Sequence, residues 1–550
     1  MRPLIFLLLL STITTIAGAQ SPAPSQKGSE LLAHIAKQPL PKGYTGANHQ
    51  PYVDETMAAL TPSQRARVGQ LWKEKQRLSP DMPHRGQSFV KILAHVAGTP
   101  AGHPRISKPA ATEEGLIGKA TPVTNPLPPV DPKAAATQWH HWRGPDATGV
   151  SPTATPPVEW SENKNVRWKV PIDGRGSSTP IIWNDQVFVL SAINTGKVDP
   201  SLPKPEDQPE RIFGIKHPNT EFELVVHCLN RKSGEEIWRR TATRKIPHEG
   251  HHGDNNYASA SPTTDGERLY CSFGSGGIFC YDLNGNKLWE RDLGEVAMGA
   301  SLGEGTSPVY HDGRLIIVRD NQRQSYIEVL DASTGETLWK ANRNEGNTWA
   351  TPRVIEHSGK TQVITPGTNL IRSYDLDTGE IIWQCGGLTN NAIPCPVVFG
   401  DYVYCMTGYK GHALLALPLS AKGDITGSDQ ILWQHDEGTP YVPSPLLYDG
   451  QLYFTQSNQA ILTCLDAATG DIIIDRTRLP DMTNVYSSPV GADGRVYLTG
   501  RNGEVLVIEH GNELKVLALN ELDDRNFTSP ALASNQIFLR GDQFLYCIEE

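Results

Sequence analysis

The chain has 550 residues, a formal charge of −10, 20% charged residues and eight cysteines. That acidic balance excludes a nucleic-acid or anionic-membrane surface as the main partner, because both call for a basic patch. After the first twenty residues no stretch approaches the roughly 18 apolar residues that span a bilayer, so the mature form is expected to be soluble with no membrane span.

In chain order, Met1-Arg2, an apolar run from Leu4 and the small residues Ala17-Gly18-Ala19 predict a cleaved secretory signal over residues 1–19. The protein is therefore expected to be exported, to the periplasm or beyond. The first cysteine is Cys228, so no lipoprotein anchor is expected. Residues 20–98 are expected to form a small helical region. Thr61-Pro62 suits an N-cap followed by proline at the first helical position, and Arg65, Val68, Leu71, Trp72, Lys75 and Leu78 fall at helical spacing. A second short helix is expected over Ser88 to Val96, docked with the first on the domain that follows or on a partner. Proline and alanine dominate from residue 99, which predicts an extended, mobile linker over 99–137.

From residue 138 to 550 the sequence is periodic. Thr179-Pro180, Ser261-Pro262, Ser307-Pro308, Thr351-Pro352, Cys395-Pro396, Ser444-Pro445, Ser488-Pro489 and Ser529-Pro530 each open a short apolar strand, and the last seven prolines are 46, 44, 44, 49, 44 and 41 residues apart. A period in the forties marks a repeated supersecondary unit. Turn pairs such as Asp265-Gly266, Asp312-Gly313 and Asp449-Gly450 follow, suited to hairpins. Each unit ends on a Gly-containing turn and a tryptophan: Trp238, Trp289, Trp339, Trp383 and, in a lengthened copy, Trp433. An aliphatic residue takes that place in the last two copies. Seven units are complete. The eighth needs both ends of the repeat region, Pro530 to Glu550 for three strands and Val166 to Val170, with Trp168, for the fourth. Sharing one blade leaves no terminal edge. The fold class is therefore all-β, an eight-bladed β-propeller with a shared closing blade, in which the tryptophans pack between blades.

Cys228, Cys280, Cys464 and Cys547 occupy one repeat position, and Cys271 and Cys405 another. Equivalent positions stand a blade apart, on the order of 10 Å or more, beyond the roughly 7 Å that a disulfide bridges. Only Cys385 and Cys395 are placed to meet.

Function is expected in the loops of one face. His248, His251, His252, Asp254 and Asn255 lie in one such loop, and Arg343, Trp349, Asn390, Tyr441 and Tyr486 in others. Imidazoles and carboxylates so close in sequence suit a metal or acid–base pair, but their spacing matches no zinc motif, and the loop is read as a polar rim. No catalytic, cofactor-binding or metal-binding residue is assigned. The Pro-rich insertion from Asn194 to Glu221 is expected to overhang this face.

Asp331 to Trp339 and Asp375 to Trp383, both Asp-x-x-Thr-Gly-Glu-x-x-Trp, resemble the tryptophan-docking repeat of the pyrroloquinoline quinone (PQQ) propeller superfamily. That superfamily holds quinoprotein dehydrogenases and non-catalytic propellers similar to BamB. Trp142 to Gly149 (WRGPDATG) is similar to a segment in exported PQQ-repeat proteins of planctomycete-type bacteria. The quinoprotein resemblance implies adjacent cysteines over PQQ, a Ca²⁺ site and a catalytic Asp. The chain has no Cys-Cys pair and no Cys-x-x-Cys-His haem motif. The expectation is thus a BamB-like, non-enzymatic scaffold without a cofactor that engages a protein or envelope component. A PQQ- or metal-dependent oxidoreductase is the alternative.

Overall fold

A computed structural model describes residues 114–123, 131–526 and 528–550, and single positions and short runs between Ile35 and Leu93. The expected signal lies outside the described residues, as do Thr61, Pro62, Arg65, Leu78, Ser88 and Val96. Two units divide the chain, residues 1–111 and 112–550. In the first, Val68, Leu71 and Trp72 are helical and buried in one apolar cluster with Val53, Leu60, Val90 and Leu93. This unit therefore has an apolar core of its own.

The second unit is an eight-bladed β-propeller. Blade 1 pairs Ile181–Trp183, Gln186–Val198, Thr220–Asn230 and Glu236–Lys245 in sequence order. Blades 2 to 7 repeat that antiparallel meander, with inner strands starting at Thr263, Val309, Arg353, Val397, Leu446 and Val490. Blade 8 joins both parts of the chain. Ala531–Ala533, Gln536–Arg540 and Phe544–Glu549 are completed by Val166–Pro171, where Trp168 pairs with Cys547 and Val170 with Leu545.

Why the repeat has its sequence is visible at two levels. On the outside, the tryptophan of one blade docks on the glycine turn of the next. The indole N–H of Trp289 donates to the Ala332 carbonyl (3.0 Å), and that of Trp339 to Leu376 (2.7 Å). A Cβ on Gly335 would come within 2.7 Å of the Trp289 ring, and φ there is +76°. Only glycine satisfies both the turn and the ring. Trp168, Trp238 and Trp433 dock likewise on Gly234, Gly285 and Gly470. Trp383 differs because the following copy is lengthened, and its N–H goes to the Gln362 side chain instead.

On the inside, the hydroxyls before the prolines form a belt. Each accepts the backbone N–H of its counterpart in the preceding blade: Thr179 donates to Ser261 Oγ, Ser261 to Ser307 and Ser307 to Thr351, at 2.9–3.1 Å. Cys395, Ser444 and Ser488 donate to Ser444, Ser488 and Ser529. Thr179 donates its own hydroxyl to the Ser529 carbonyl (3.2 Å), joining blade 1 to blade 8, while Cys395, whose repeat position carries a thiol, supplies no hydroxyl to Thr351.

Two expectations change. The 99–137 segment is not a free linker over its described part: Gly115–Ile117 adds a fifth strand to blade 3 against Lys340–Asn342, and Glu114 pairs with buried Arg372. The linker reading failed because a few residues suffice to pair an exposed strand edge. Residues 138–163, moreover, form a strap across the propeller. Trp139 bridges to Ile182, Val150 to Gly491 and Ser161 to Glu521, while Thr155 N–H reaches Ser534. Trp139 and Trp160 lie in the largest core cluster. All eight cysteines are free and buried, so Cys385 and Cys395 do not pair.

Candidate functional site

The strap partners Ile182, Thr264, Leu447 and Gly491 lie past the prolines along the inner strands, so the strap crosses the channel end opposite the loops that lead into those strands. Its Trp142 faces the channel and donates its indole N–H to Cys395 Sγ at 3.0 Å. Beside it Arg143 is 1% exposed; one Nη donates to the Pro445 carbonyl at 2.8 Å. Burial pulls its pKa down to about 10. A Cβ on Gly149 (φ +90°) would strike that guanidinium at 2.1 Å, and one on Gly144 (φ +79°) would strike Trp139 at 2.8 Å. The glycines of WRGPDATG are thus explained by turning the strap tightly around Arg143 and Trp139.

Above Trp142 the channel widens into a cavity of about 500 Å³. His252, Asp254, Asn255, Trp349, Tyr441 and Tyr486, all singled out from sequence, line it. Asp254 is ion-paired with Arg501 and accepts the Tyr486 hydroxyl at 3.1 Å. Trp349 is fixed by its N–H on the Gly303 carbonyl (2.7 Å), and Asn255 donates to the Leu302 and Glu304 carbonyls. Sequence reasoning missed Trp142, Phe213, Tyr409 and Asn458, which also line the cavity.

Other expected site residues point elsewhere. His248 hydrogen-bonds the Val296 carbonyl (2.7 Å) and lines a separate, smaller pocket. His251 is held on the His252 carbonyl (2.7 Å) and against Tyr257. Asn390 bridges to Tyr409, and its neighbour Asn391 takes the lining place. Arg343 is withdrawn from the channel altogether: at 0% exposed it makes a two-pronged ion pair with Asp320 (2.8 and 3.0 Å). Among the described residues no three His, Cys, Asp or Glu side chains gather as a metal site.

The 194–221 insertion partly extends blade 1, whose second strand runs to Val198 and pairs with Thr220. Its tip reaches the channel mouth: Phe213 lines the cavity and packs edge-on against His252 at 5.3 Å, and His217 bonds Ser301. Ile212 and Phe213 remain 66% and 64% exposed.

One relay-like arrangement lies away from the channel. Ser191 Oγ meets His227 Nε2 at 2.9 Å, and His227 Nδ1 meets Glu236 at 3.1 Å. A hydrolytic triad has this order, but Ser191 is 0% and His227 2% exposed. No substrate reaches the hydroxyl, and the network holds strands of blade 1 together. Burial holds His227 below its usual pKa, as it does His140, His141 and His311. These imidazoles stay neutral in the fold while the unfolded chain takes up protons near pH 6.5, so their stabilisation is complete above that value and declines as pH falls toward the lowered folded values. The melting temperature is expected to drop between about pH 7.5 and about pH 5; a flat profile would contradict the neutral buried assignment.

Residues 223–476, a little under half of the chain, match the family profile described as outer membrane protein assembly factor BamB. The chain carries a BamB-like PQQ-repeat propeller. BamB of Bordetella pertussis is 24% identical over 306 residues, which span 52% of this chain and 70% of that protein. Tetrathionate hydrolase of Acidithiobacillus ferrooxidans is 24% identical over 197 residues, 33% of this chain and only 37% of the hydrolase. Among solved structures, a europium-containing methanol dehydrogenase superposes over 76% of this chain and 98% of its own, with a TM-score of 0.53 at 11% identity. That likeness speaks for the fold alone. Among the described residues no helix is long and apolar enough to cross a membrane.

Proposed function

We propose that the chain is an exported, non-enzymatic binding protein that engages a protein or cell-envelope component through its loop face. The observation that carries this reading is the insertion tip. Ile212 and Phe213 stand exposed side by side at the channel mouth, with Phe213 in a left-handed conformation (φ +62°). A bulky residue there is uncommon, and two adjacent exposed apolar side chains beside the cavity offer a partner an apolar contact. The similarity to BamB, an assembly factor by name, supports the same reading.

The donor set argues against the oxidoreductase alternative. PQQ carries three carboxylates, yet among the described residues no lysine or arginine lines the cavity, and the one lining carboxylate, Asp254, is committed to Arg501. Calcium takes six to eight oxygen ligands, carboxylates among them. Neither requirement is matched. The purified protein incubated with PQQ and Ca²⁺ is expected to give no dye-linked oxidation of alcohols or aldose sugars; turnover above the buffer rate would overturn the non-enzymatic reading.

A further inference from the structure

The cavity beneath the insertion tip carries a chemistry that a protein-binding rim does not use. Its volume of about 500 Å³ falls within the roughly 300–1,000 Å³ of small-molecule sites. Two large aromatic surfaces are fixed in it. Trp142 at the strap end is held through its N–H on Cys395, and Trp349 on the wall through its N–H on Gly303. Because both indole N–H groups are spent on the protein, what these rings offer a ligand is hydrocarbon surface. Tyr409 and Tyr441 form a stacked pair at 4.7 Å, with Asn391 donating to the Tyr441 hydroxyl at 3.3 Å.

The polar part of the lining has a definite sense. In the belt, Ser261, Ser307, Thr351, Ser444, Ser488 and Ser529 each accept a backbone N–H and each line the cavity. One lone pair is thereby used on every hydroxyl, and the O–H remains to donate to a ligand oxygen. Charge is nearly absent. Among the described residues the lining has no lysine or arginine to meet an anion, and its single carboxylate is neutralised by Arg501.

Fixed aromatic faces, a belt of hydroxyl donors, side-chain amides and no net charge together describe a partner with apolar C–H faces and many neutral oxygens. We propose that this cavity binds a short, uncharged saccharide, its ring faces packed on Trp349 and Trp142 and its hydroxyls bonded to the belt. The proposal takes from the loop-face reading only the idea that an envelope component is bound, and it names that component's chemistry.

The test titrates the full chain with maltotriose, cellobiose and N,N′-diacetylchitobiose, followed by calorimetry and tryptophan fluorescence, with glucuronic acid, glucose 6-phosphate and PQQ as charged controls. Saturable one-to-one binding of at least one neutral sugar is expected, about tenfold or more tighter than any charged control. Trp349→Ala and, as a milder change, Asn391→Ala are each expected to weaken it about tenfold, while Ile212→Asp, at the exposed tip and outside the cavity lining, alters it far less than either. Absence of saturable binding by all three sugars, preference for a charged control, or binding indifferent to both cavity variants would each overturn the proposal. Capture of a protein partner through the tip with no sugar bound would leave the loop-face reading standing and remove this one.

Discussion

A chain that begins at Ile172 is expected to lose the cooperative melt that a chain beginning at Thr112 retains. The shorter chain lacks Val166–Pro171, so blade 8 is left with three strands and an open ladder along Phe544–Glu549. It also lacks the strap, and with it Trp139, Ala154, Trp160 and Trp168 of the largest core cluster. Open strand edges invite association between chains, and the shorter chain should aggregate as it unfolds. A point variant isolates the closing strand. Trp168 is 8% exposed, docks on Gly234 and donates its N–H to the Arg231 carbonyl at 3.0 Å. Trp168→Ala is expected to cost about 3–5 kcal/mol in denaturant unfolding, the usual loss for a buried aromatic. Equal melting temperatures for the two truncations would refute closure through a shared blade.

Breaking the Arg343–Asp320 pair is expected to have an effect of similar size. Arg343 donates from Nε and one Nη to the two Asp320 oxygens, and its other Nη donates to Thr365 Oγ1 (2.6 Å) and Tyr374 (3.1 Å). Asp320 also accepts the Thr348 hydroxyl at 2.6 Å. Both residues are buried, and the aspartate beside the guanidinium raises the arginine's pKa against the opposing effect of burial. Arg343→Met strands a buried carboxylate at a cost of about 3–5 kcal/mol. Removing the charge as well, in an Arg343→Leu, Asp320→Leu double variant, should recover much of that loss, because a buried pair replaced by apolar groups is often neutral. Arg343→Lys should not, since an ammonium cannot make the two-pronged contact. A double variant no more stable than Arg343→Met would show that the loss comes from packing instead of charge.

How much of this was legible in the sequence depended on repetition. The Ser-Pro and Gly-to-Trp periods revealed eight blades and the shared closing blade, because five of the blades repeat the same docking of an indole on a glycine turn and the Ser-Pro period carries through the rest. The belt that those serines form was not legible, since its bonds run between residues more than 40 positions apart. Trp142 and Arg143 occur once, outside any period, and nothing local announces that one faces the channel while the other is buried beneath it. Arg343 was misplaced for a related reason: its loop position suited a channel lining, but its partner Asp320 lies 23 residues away on the preceding hairpin. Phe213 was hidden within a Pro-rich insertion whose length alone was informative. Six of the ten loop residues named from sequence do line the cavity; Trp349, Tyr441 and Tyr486 stand three or four residues before their repeat prolines, while His252, Asp254 and Asn255 come from the longer loop ahead of Pro262.

The loop-face reading is tested most directly by placing a photo-crosslinking residue at Phe213 in the full chain and irradiating native envelopes. The account predicts one dominant adduct of defined mass, which disappears when Ile212 is also changed to Asp and is absent when the crosslinker stands at Asp377, an exposed turn of blade 4 remote in sequence from the insertion. The same adducts from both positions, or none from the tip while the protein remains folded, would contradict it.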